Sequence, residues 1–242
     1  MNNLAKRILS SLVLIPVILF FIFQGGGYYQ ILCGLLFGLL IFEWGTLWSN
    51  YATKHPIKLT HIILITLGTL YISLALYKFL TLKDFPHKQF MTFLIVFSTD
   101  AGAYFVGKKF GKTPLAPKIS PNKTWEGFWG GVLTCVVVCS FVMYLHLAEL
   151  SSYSDLSSYI YNFFSGITLF STFVFSMRFM FYSIAAHLGD LLESWVKRYL
   201  GVKDSSQLIP GHGGFLDRFD SALALGLAYY LKELLHDFGF FF

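Results

Sequence analysis

The sequence predicts an all-α fold, a polytopic bundle of helices that spans a membrane. Of the 242 residues, 55% are hydrophobic and only 13% are charged, whereas a surface that faces water needs about 25 to 35% charged residues. The mean hydropathy is +0.62. Apolar runs near or above the roughly 18 residues that mark a membrane helix recur at 9–23, 28–48, 62–82 and 127–147. These runs lack the alternation of a transmembrane β-barrel.

The first predicted span follows Lys6 and Arg7. No small-residue cleavage site comes after it, so we expect an uncleaved helix with a cytoplasmic N-terminus. Gly25 to Gly27 is the expected outer turn before the second span. The third span covers 62–82, and the fourth runs from Phe90 to Gly107, which returns the basic stretch 108–123 to the cytoplasm.

The fifth span, 127–147, leads to an outer loop at 148–158 that contains no Lys or Arg. Segments 159–177 and 179–196 could each cross the membrane, separated by Arg178. Two crossings would put the basic block 197–218 outside, against the positive-inside rule. One of these segments is therefore expected to be broken or re-entrant. With a closing apolar helix at 221–235, the count is about seven to eight membrane segments.

The charge pattern excludes a nucleic-acid-binding protein, and the cysteine positions exclude a zinc site. The net charge is +5, but no basic arm or zinc pattern accompanies it, so we expect no nucleic-acid partner. The cysteines, Cys33, Cys135 and Cys139, all lie in apolar runs without a CxxC pair. We interpret them as small packing residues.

The ionisable residues concentrate in two windows, 98–126 and 187–220. Placing such residues deep in a bilayer costs about 2.5 kcal/mol or more each, so a cluster beside membrane spans indicates function. The windows contain seven of the thirteen acidic residues: Asp100, Glu126, Asp190, Glu193, Asp204, Asp217 and Asp220.

The second window begins with a charged helix face. Its residues recur at offsets of three and four, which places them on one side of a helix. A salt-bridged stripe at a membrane surface is one interpretation, and a metal and phosphate site is the other. The face consists of Asp190, Glu193, Ser194, Lys197 and Arg198.

A glycine-rich turn follows, from Pro210 to Gly214. Such a turn leaves backbone N–H groups available to an anion. Asp217 and Asp220 then share one face of the next helix start, where carboxylates can hold a hard cation. Helix capping is the alternative explanation for these two acids.

In the first window, Asp100, Tyr104 and Lys108 repeat at helical spacing. The segment 118–127 then supplies two lysines, two hydroxyls and, in Thr124, a candidate cap for the fifth span. A positive-inside loop with a helix cap would look the same. Together with the second window, the pattern favours phosphate binding.

At these residues the sequence closely resembles the phosphatidate cytidylyltransferase family, also called CDP-diacylglycerol synthase. The resemblance covers roughly Ser98 to the end of the chain. The family commonly has Arg where Lys108 stands and Lys where Asn122 stands. The strongest match is the carboxyl-terminal signature Ser194-x-Val196-Lys197-Arg198, Lys203-Asp204, Pro210-x-His212-Gly213-Gly214-Phe215-x-Asp217-Arg218 and Asp220, joined upstream by Asp100-x-x-Ala103-Tyr104-x-x-Gly107 and Ile119-Ser120-Pro121-x-Lys123-Thr124-x-Glu126-Gly127.

This resemblance implies that the lipid phosphate of phosphatidic acid attacks the α-phosphorus of CTP, giving CDP-diacylglycerol and pyrophosphate. It implies Mg²⁺ held by Asp190, Asp217 and Asp220, with Glu193 and Asp204 as supporting groups and with a second, monovalent cation left open. His212 fits turn stabilisation or phosphate binding better than general base catalysis, because a phosphate monoester is already ionised. The lipid phosphate or pyrophosphate is assigned to Lys197, Arg198, Lys203 and Arg218, and CTP to Asp100, Tyr104, Lys108, Lys118, Ser120 and Lys123.

The resemblance also implies a bacterial-type inner membrane protein, a homodimer, with its active site facing the cytoplasm. We divide the sequence into N-terminal transmembrane helices, 1–97, and a catalytic membrane domain, 98–242. Two other functions stay open: a CTP-dependent polyprenol or phytol kinase that transfers the γ-phosphate, and a transporter whose acids line an ion path. A non-enzymatic scaffold gives no reason for this spacing of acids, cations and glycines.

Overall fold

The computed structural model describes residues 3–150, 166–209 and 213–237, and the predicted helical architecture is confirmed there. Among these described residues, four helices are long and apolar enough to cross a membrane: Gly26–Ala52, Leu59–Thr81, Pro86–Phe110 and Trp125–Leu145. The count of seven to eight membrane segments stays a prediction. The elements are α1 (Asn3–Gln24), α2 (Gly26–Ala52), α3 (Leu59–Thr81), α4 (Pro86–Phe110), β1 (Pro114–Ala116), β2 (Ser120–Thr124), α5 (Trp125–Leu150), α6 (Gly166–Tyr199) and α7 (Leu216–Asp237).

The break between α1 and α2 lies at the predicted glycine turn. Gly25 adopts a φ of 62°, a left-handed conformation that costs glycine little because it has no Cβ. The N–H of Gly26 then donates to the carbonyl of Lys83, at 3.1 Å. The turn is therefore tied to the loop between α3 and α4.

Helix α6 corrects the prediction of two segments separated at Arg178. One continuous helix of 34 residues runs through this position, with a length of about 51 Å at 1.5 Å per residue. The backbone stays helical through Arg178 because no Gly or Pro interrupts 167–188. Of the expected segment 159–177, residues 159–165 lie outside the described residues.

A short antiparallel hairpin, which the sequence analysis did not predict, connects α4 and α5. Pro114 pairs with Thr124, and Ala116 pairs with Ser120. The carboxylate of Glu126 accepts hydrogen bonds from the N–H groups of Lys112 and Thr113 at 3.1 and 3.2 Å, which closes the base of the hairpin. The predicted cap of α5 is confirmed, because the Thr124 hydroxyl accepts from the N–H of Gly127 at 3.1 Å.

The chain forms two compact units. The first, which we call the outer unit only because it consists of the two outer parts of the sequence, contains α1, α2, α3, the start of α4, the end of α6 from Leu188, and α7. The second, the inner unit, lies between Phe93 and His187 and contains the rest of α4, the hairpin, α5 and the first part of α6. The sequence division at residue 97 stays a prediction.

Close helix contacts define the core of each unit. In the outer unit, a Cβ on Gly226 would lie 2.7 Å from the carbonyl oxygen of Ala75, so α7 can approach α3 only with glycine there. In the inner unit, the hydroxyls of Thr99 and Ser183 are 2.9 Å apart and join α4 to α6. The three cysteines are free and buried, and their burial agrees with the prediction that they are packing residues.

Candidate active site

A largely buried lysine lies between two carboxylates in the outer unit. The Nζ of Lys197 is 2.5 Å from Oδ1 of Asp217 and 2.5 Å from Oε2 of Glu193. All three side chains are at most 14% exposed. Glu193 and Lys197 stand four residues apart on α6, the spacing that brings side chains together on a helix. We call these three residues the Lys197 group.

The loop between α6 and α7 holds the other carboxylate oxygen of Asp217. Its Oδ2 accepts hydrogen bonds from the N–H and hydroxyl of Ser205, both at 2.9 Å, and from the N–H of Gly214 at 2.8 Å. Gly213 has a φ of +83°, and a Cβ on it would lie 2.6 Å from the same oxygen. The glycines of the turn therefore let the backbone fold around Asp217.

Burial and charge shift the pKa values of this group, which lies outside the four candidate spans. Burial raises the pKa of Glu193, and the nearby negative charge of Asp217 adds to that effect. Burial alone would also raise the pKa of Asp217, but hydrogen bonds from Lys197 and the loop amides outweigh it, so this pKa is lowered. Burial opposes the charge of Lys197, yet the two carboxylates raise its pKa.

Glu43, which the sequence analysis missed, is fully buried on α2 beside the same loop. Its Oε1 accepts from the hydroxyl of Ser206 at 2.6 Å and from the N–H of Phe215 at 2.8 Å. Its Oε2 accepts from the N–H of Leu216 at 2.8 Å and from the hydroxyl of Ser205 at 3.2 Å. A signal was present in the sequence, because Glu43 is the one acid in the run 28–48 and an acid inside a span indicates function.

These contacts correct the expectation that the N–H groups of the glycine-rich turn meet a bound anion. The amide of Gly214 donates to Asp217, and those of Phe215 and Leu216 donate to Glu43. Two carboxylates of the protein therefore occupy the position predicted for a phosphate, the positive end of the α7 dipole. Within the predicted turn this correction applies to Gly214, and the next two amides meet Glu43, a buried acid 172 residues away in sequence from Phe215 that was not considered.

The two remaining predicted metal ligands also lie in the outer unit. Asp190 stands one helical turn before Glu193 and contacts the hydroxyl of Ser194 at 3.5 Å. Asp220 follows Asp217 by one turn, and its Oδ1 accepts from the N–H of Ser221 at 2.7 Å. Within the described ranges, no group of three or more His, Cys, Asp or Glu is close enough to hold one metal ion.

The other basic residues of the signature are solvent-exposed. Arg198, Lys203 and Arg218 are all exposed, and Nη1 of Arg198 donates to the carbonyl of Val202 at 3.2 Å. Asp204 is exposed in the same loop. His212 lies outside the described residues.

The residues predicted to bind CTP belong to the inner unit. Tyr104 and Lys108 are neighbours on α4, with the Lys108 Nζ 3.5 Å from the phenol oxygen and 5.6 Å from the ring centre. Asp100 is one turn earlier and exposed. Lys118 is in the hairpin turn, and Ser120 and Lys123 are on β2. The predicted helix face of α4 is thus confirmed, while roles in CTP binding stay predictions.

A cavity of about 290 Å³ lies beside the Lys197 group. It is an open cavity lined by residues of α2, α3, α6 and α7, and most of its walls are apolar. The lining also includes four residues with charged or hydroxyl-bearing side chains, namely Tyr71, Glu193, Lys197 and Asp220. The apolar walls include Trp44, Trp48, Leu64, Leu67, Leu192 and Val196.

The fold and the site together define an integral membrane protein with a buried acid–lysine group next to an apolar cavity. A model of the cytidylyltransferase family matches residues 49–235. The chain therefore belongs to the cytidylyltransferase family.

Several bacterial relatives are named phosphatidate cytidylyltransferase. The protein of Bacillus subtilis is 37% identical over 186 residues, which are 75% of this chain and 62% of the relative. That of Haemophilus influenzae is 46% identical over 132 residues, 54% of this chain and 40% of the relative. The chain thus covers less than two thirds of these two proteins. The protein of Rickettsia conorii is 33% identical over 234 residues, 96% of this chain and 92% of the relative.

We predict that Lys197→Met destabilises the fold, because it leaves the carboxylates of Glu193 and Asp217 buried without their shared cation. Breaking a buried ion pair costs about 3 to 5 kcal/mol, which corresponds to a fall of roughly 5 °C or more in the unfolding midpoint. Lys203→Met is the matched control, since Lys203 is exposed. The measurement is thermal unfolding in detergent. Equal midpoints for the two variants would contradict the buried pairing.

Proposed function

We propose that this protein is a CTP:phosphatidate cytidylyltransferase that transfers CMP from CTP to phosphatidic acid. The observation that carries the proposal is the Lys197 group beside an apolar cavity whose lining includes Glu193 and Lys197, which suits a substrate with a charged head and a hydrocarbon tail. The names of the relatives support the choice of substrates. The products are CDP-diacylglycerol and pyrophosphate.

The reaction joins two anions and needs charge compensation more than a covalent nucleophile. An oxygen of the lipid phosphate forms a bond to the α-phosphorus of CTP, and the bond from that phosphorus to the bridging oxygen of the β-phosphate breaks. Because the lipid phosphate is already ionised near neutral pH, no strong base is required. Basic side chains that position and neutralise the phosphates supply the catalysis.

The basic residues of the signature divide into two sets. Lys197 is buried at the cavity, while Arg198, Lys203 and Arg218 are exposed and can reach ligands that arrive from water. We assign all four to the lipid phosphate and the pyrophosphate, with His212 as a further phosphate-binding or turn-stabilising group. CTP is assigned to Asp100, Tyr104, Lys108, Lys118, Ser120 and Lys123.

The acids of the signature offer the carboxylate oxygens that Mg²⁺ prefers, although in the described residues no three of them converge on one point. The Lys197 group has two carboxylates and one ammonium; Oε2 of Glu193 pairs with Lys197, and its buried Oε1 has no hydrogen-bond partner among the described residues. Mg²⁺ prefers oxygen ligands and is often held by one or two carboxylates together with substrate phosphates. We assign Asp217, Asp190 and Asp220 as its ligands, with Glu193 beside them. Bound there, the ion would neutralise phosphate charge.

Membrane location follows the same proposal. The positive-inside rule places the basic stretches 108–123 and 197–218 on the cytoplasmic side, where CTP is available. The bacterial relatives support an inner-membrane location. We also propose that the protein acts as a homodimer, as the family resemblance implies.

We predict that purified protein with Mg²⁺, CTP labelled at the α-phosphate and phosphatidic acid transfers the label to lipid and releases one pyrophosphate per transfer. Asp217→Asn should lower this rate by at least about 100-fold, because it removes a charged oxygen from the site. Asp84→Asn, which alters an exposed acid between α3 and α4, is the matched control and should keep the wild-type rate.

Other results would contradict the proposal. Transfer of only the γ-phosphate to a polyprenol would indicate a kinase. If folded protein transfers neither the α-phosphate label nor a γ-phosphate label, and if it carries ions across sealed vesicles without CTP, the protein is a transporter. Full turnover after removal of divalent cations would contradict the role of Mg²⁺.

We further predict that an acyl chain of the lipid enters the cavity. Leu67→Trp adds a larger side chain to a cavity wall, so kcat/KM should fall about tenfold for long-chain phosphatidic acid but less than about threefold for a dihexanoyl analogue. Leu70→Trp is the control, because Leu70 is similarly exposed on α3, 51% against 56% for Leu67, and does not line the cavity. An equal loss with both lipids would show that the cavity does not hold the chain.

A further inference from the structure

Glu43 is a buried acid that the proposed reaction does not use, and it makes more hydrogen bonds than a packing residue requires. It lies on α2 with its side chain 0% exposed, inside a candidate membrane span. We propose that Glu43 is a positioning residue, which holds the loop between α6 and α7 so that Asp217 meets Lys197. The inference rests on the proposed function, because it concerns the site of that reaction.

The first support is the match between Glu43 and its partners. Two hydroxyls and two backbone N–H groups surround its carboxylate at distances from 2.6 to 3.2 Å. A carboxylate is only an acceptor, and all four groups are donors, with the single proton of the Ser205 hydroxyl shared between Glu43 and Asp217. Hydrogen bonds to an ionised acceptor are about twice as strong as those between neutral groups. The Glu43 carboxylate on α2 therefore holds both the start of α7 and the preceding loop.

The second support is that Glu43 and Asp217 hold the same stretch of backbone. The N–H of Gly214 donates to Asp217, and the next N–H, that of Phe215, donates to Glu43. The hydroxyl of Ser205 lies within 2.9 Å of Asp217 and 3.2 Å of Glu43. A shift at Glu43 would therefore change the turn that orients the Asp217 carboxylate toward Lys197.

Gly214 gives the third support. A Cβ at this position would lie 2.0 Å from the Ser205 hydroxyl and 2.6 Å from Oε1 of Glu43. The backbone at Gly214 thus packs against both groups with no space for a side chain. Close approach of the turn to Glu43, rather than an unusual φ, is what requires glycine here.

The experiment compares three variants in the detergent-purified full chain. Glu43→Gln keeps the shape but presents an amide NH₂ to a set of donors, and Glu43→Asp keeps the charge on a shorter side chain. Leu40→Ala is the control for lost packing, because Leu40 is also 0% exposed on α2. The measurements are kcat, the KM values for CTP and phosphatidic acid, the unfolding midpoint, and the rate of trypsin cleavage after the exposed Lys203.

We expect Glu43→Gln to lower kcat at least about tenfold, with each KM changed less than about threefold, and to speed cleavage after Lys203 about tenfold. Glu43→Asp should recover part of the lost kcat. Leu40→Ala should lower the unfolding midpoint as much or more, yet leave kcat and the cleavage rate near wild type at temperatures where it is folded.

Wild-type kcat in Glu43→Gln would overturn the inference, and so would an equal loss of kcat in Leu40→Ala at the same loss of stability. If the wild-type protein itself transfers no cytidylyl group, the proposed function fails. The trypsin measurement then still decides the structural part, since unchanged cleavage after Lys203 in Glu43→Gln would show that Glu43 does not hold the loop.

Discussion

The ammonium of Lys197 has to be paired because it is buried, and the carboxylates of Glu193 and Asp217 provide that pairing at 2.5 Å each. A buried charge without a partner would cost several kcal/mol; Glu193 supplies one partner from α6 itself, and Asp217 supplies the second and joins α7 to α6. The glycine-rich turn, the start of α7 and the buried Ser205 are all arranged around this contact. The same constraint explains why the loop between α6 and α7 is rich in hydrogen-bond donors.

Asp217 is shared between two tasks in this arrangement. One oxygen faces Lys197, and the other accepts from the loop at Ser205 and Gly214. Glu43 accepts hydrogen bonds from the next two N–H groups, so each N–H group from Gly214 to Leu216 has an acceptor. An acid group held in this way is already oriented before any ligand binds, which is the condition for electrostatic catalysis without reorganisation. The apolar cavity beside it fits the membrane setting of a lipid substrate.

Much of this organisation could be predicted from local sequence patterns. Hydropathy predicted the helices, Gly25 predicted the first turn, and helical spacing placed Glu193 and Lys197 on one face. Long-range pairing could not be predicted, because nothing in the spacing of 197–217 shows that Asp217 faces Lys197 or that Glu43 caps α7. The apolar stretch around Arg178 was divided in two because a single charge was treated as a break, although a helix accommodates it. The hairpin at 114–124 is too short and polar for a hydrophobic period.

The central claim is that Lys197 and Asp217 form one electrostatic unit in the buried site. The most direct measurement is a double-mutant cycle on thermal stability with Lys197→Met, Asp217→Asn and the double variant. The account predicts that Asp217→Asn destabilises the wild-type protein but restores part of the stability lost in Lys197→Met, because it removes one of two unpaired buried negative charges. Losses that simply add in the double variant would contradict it.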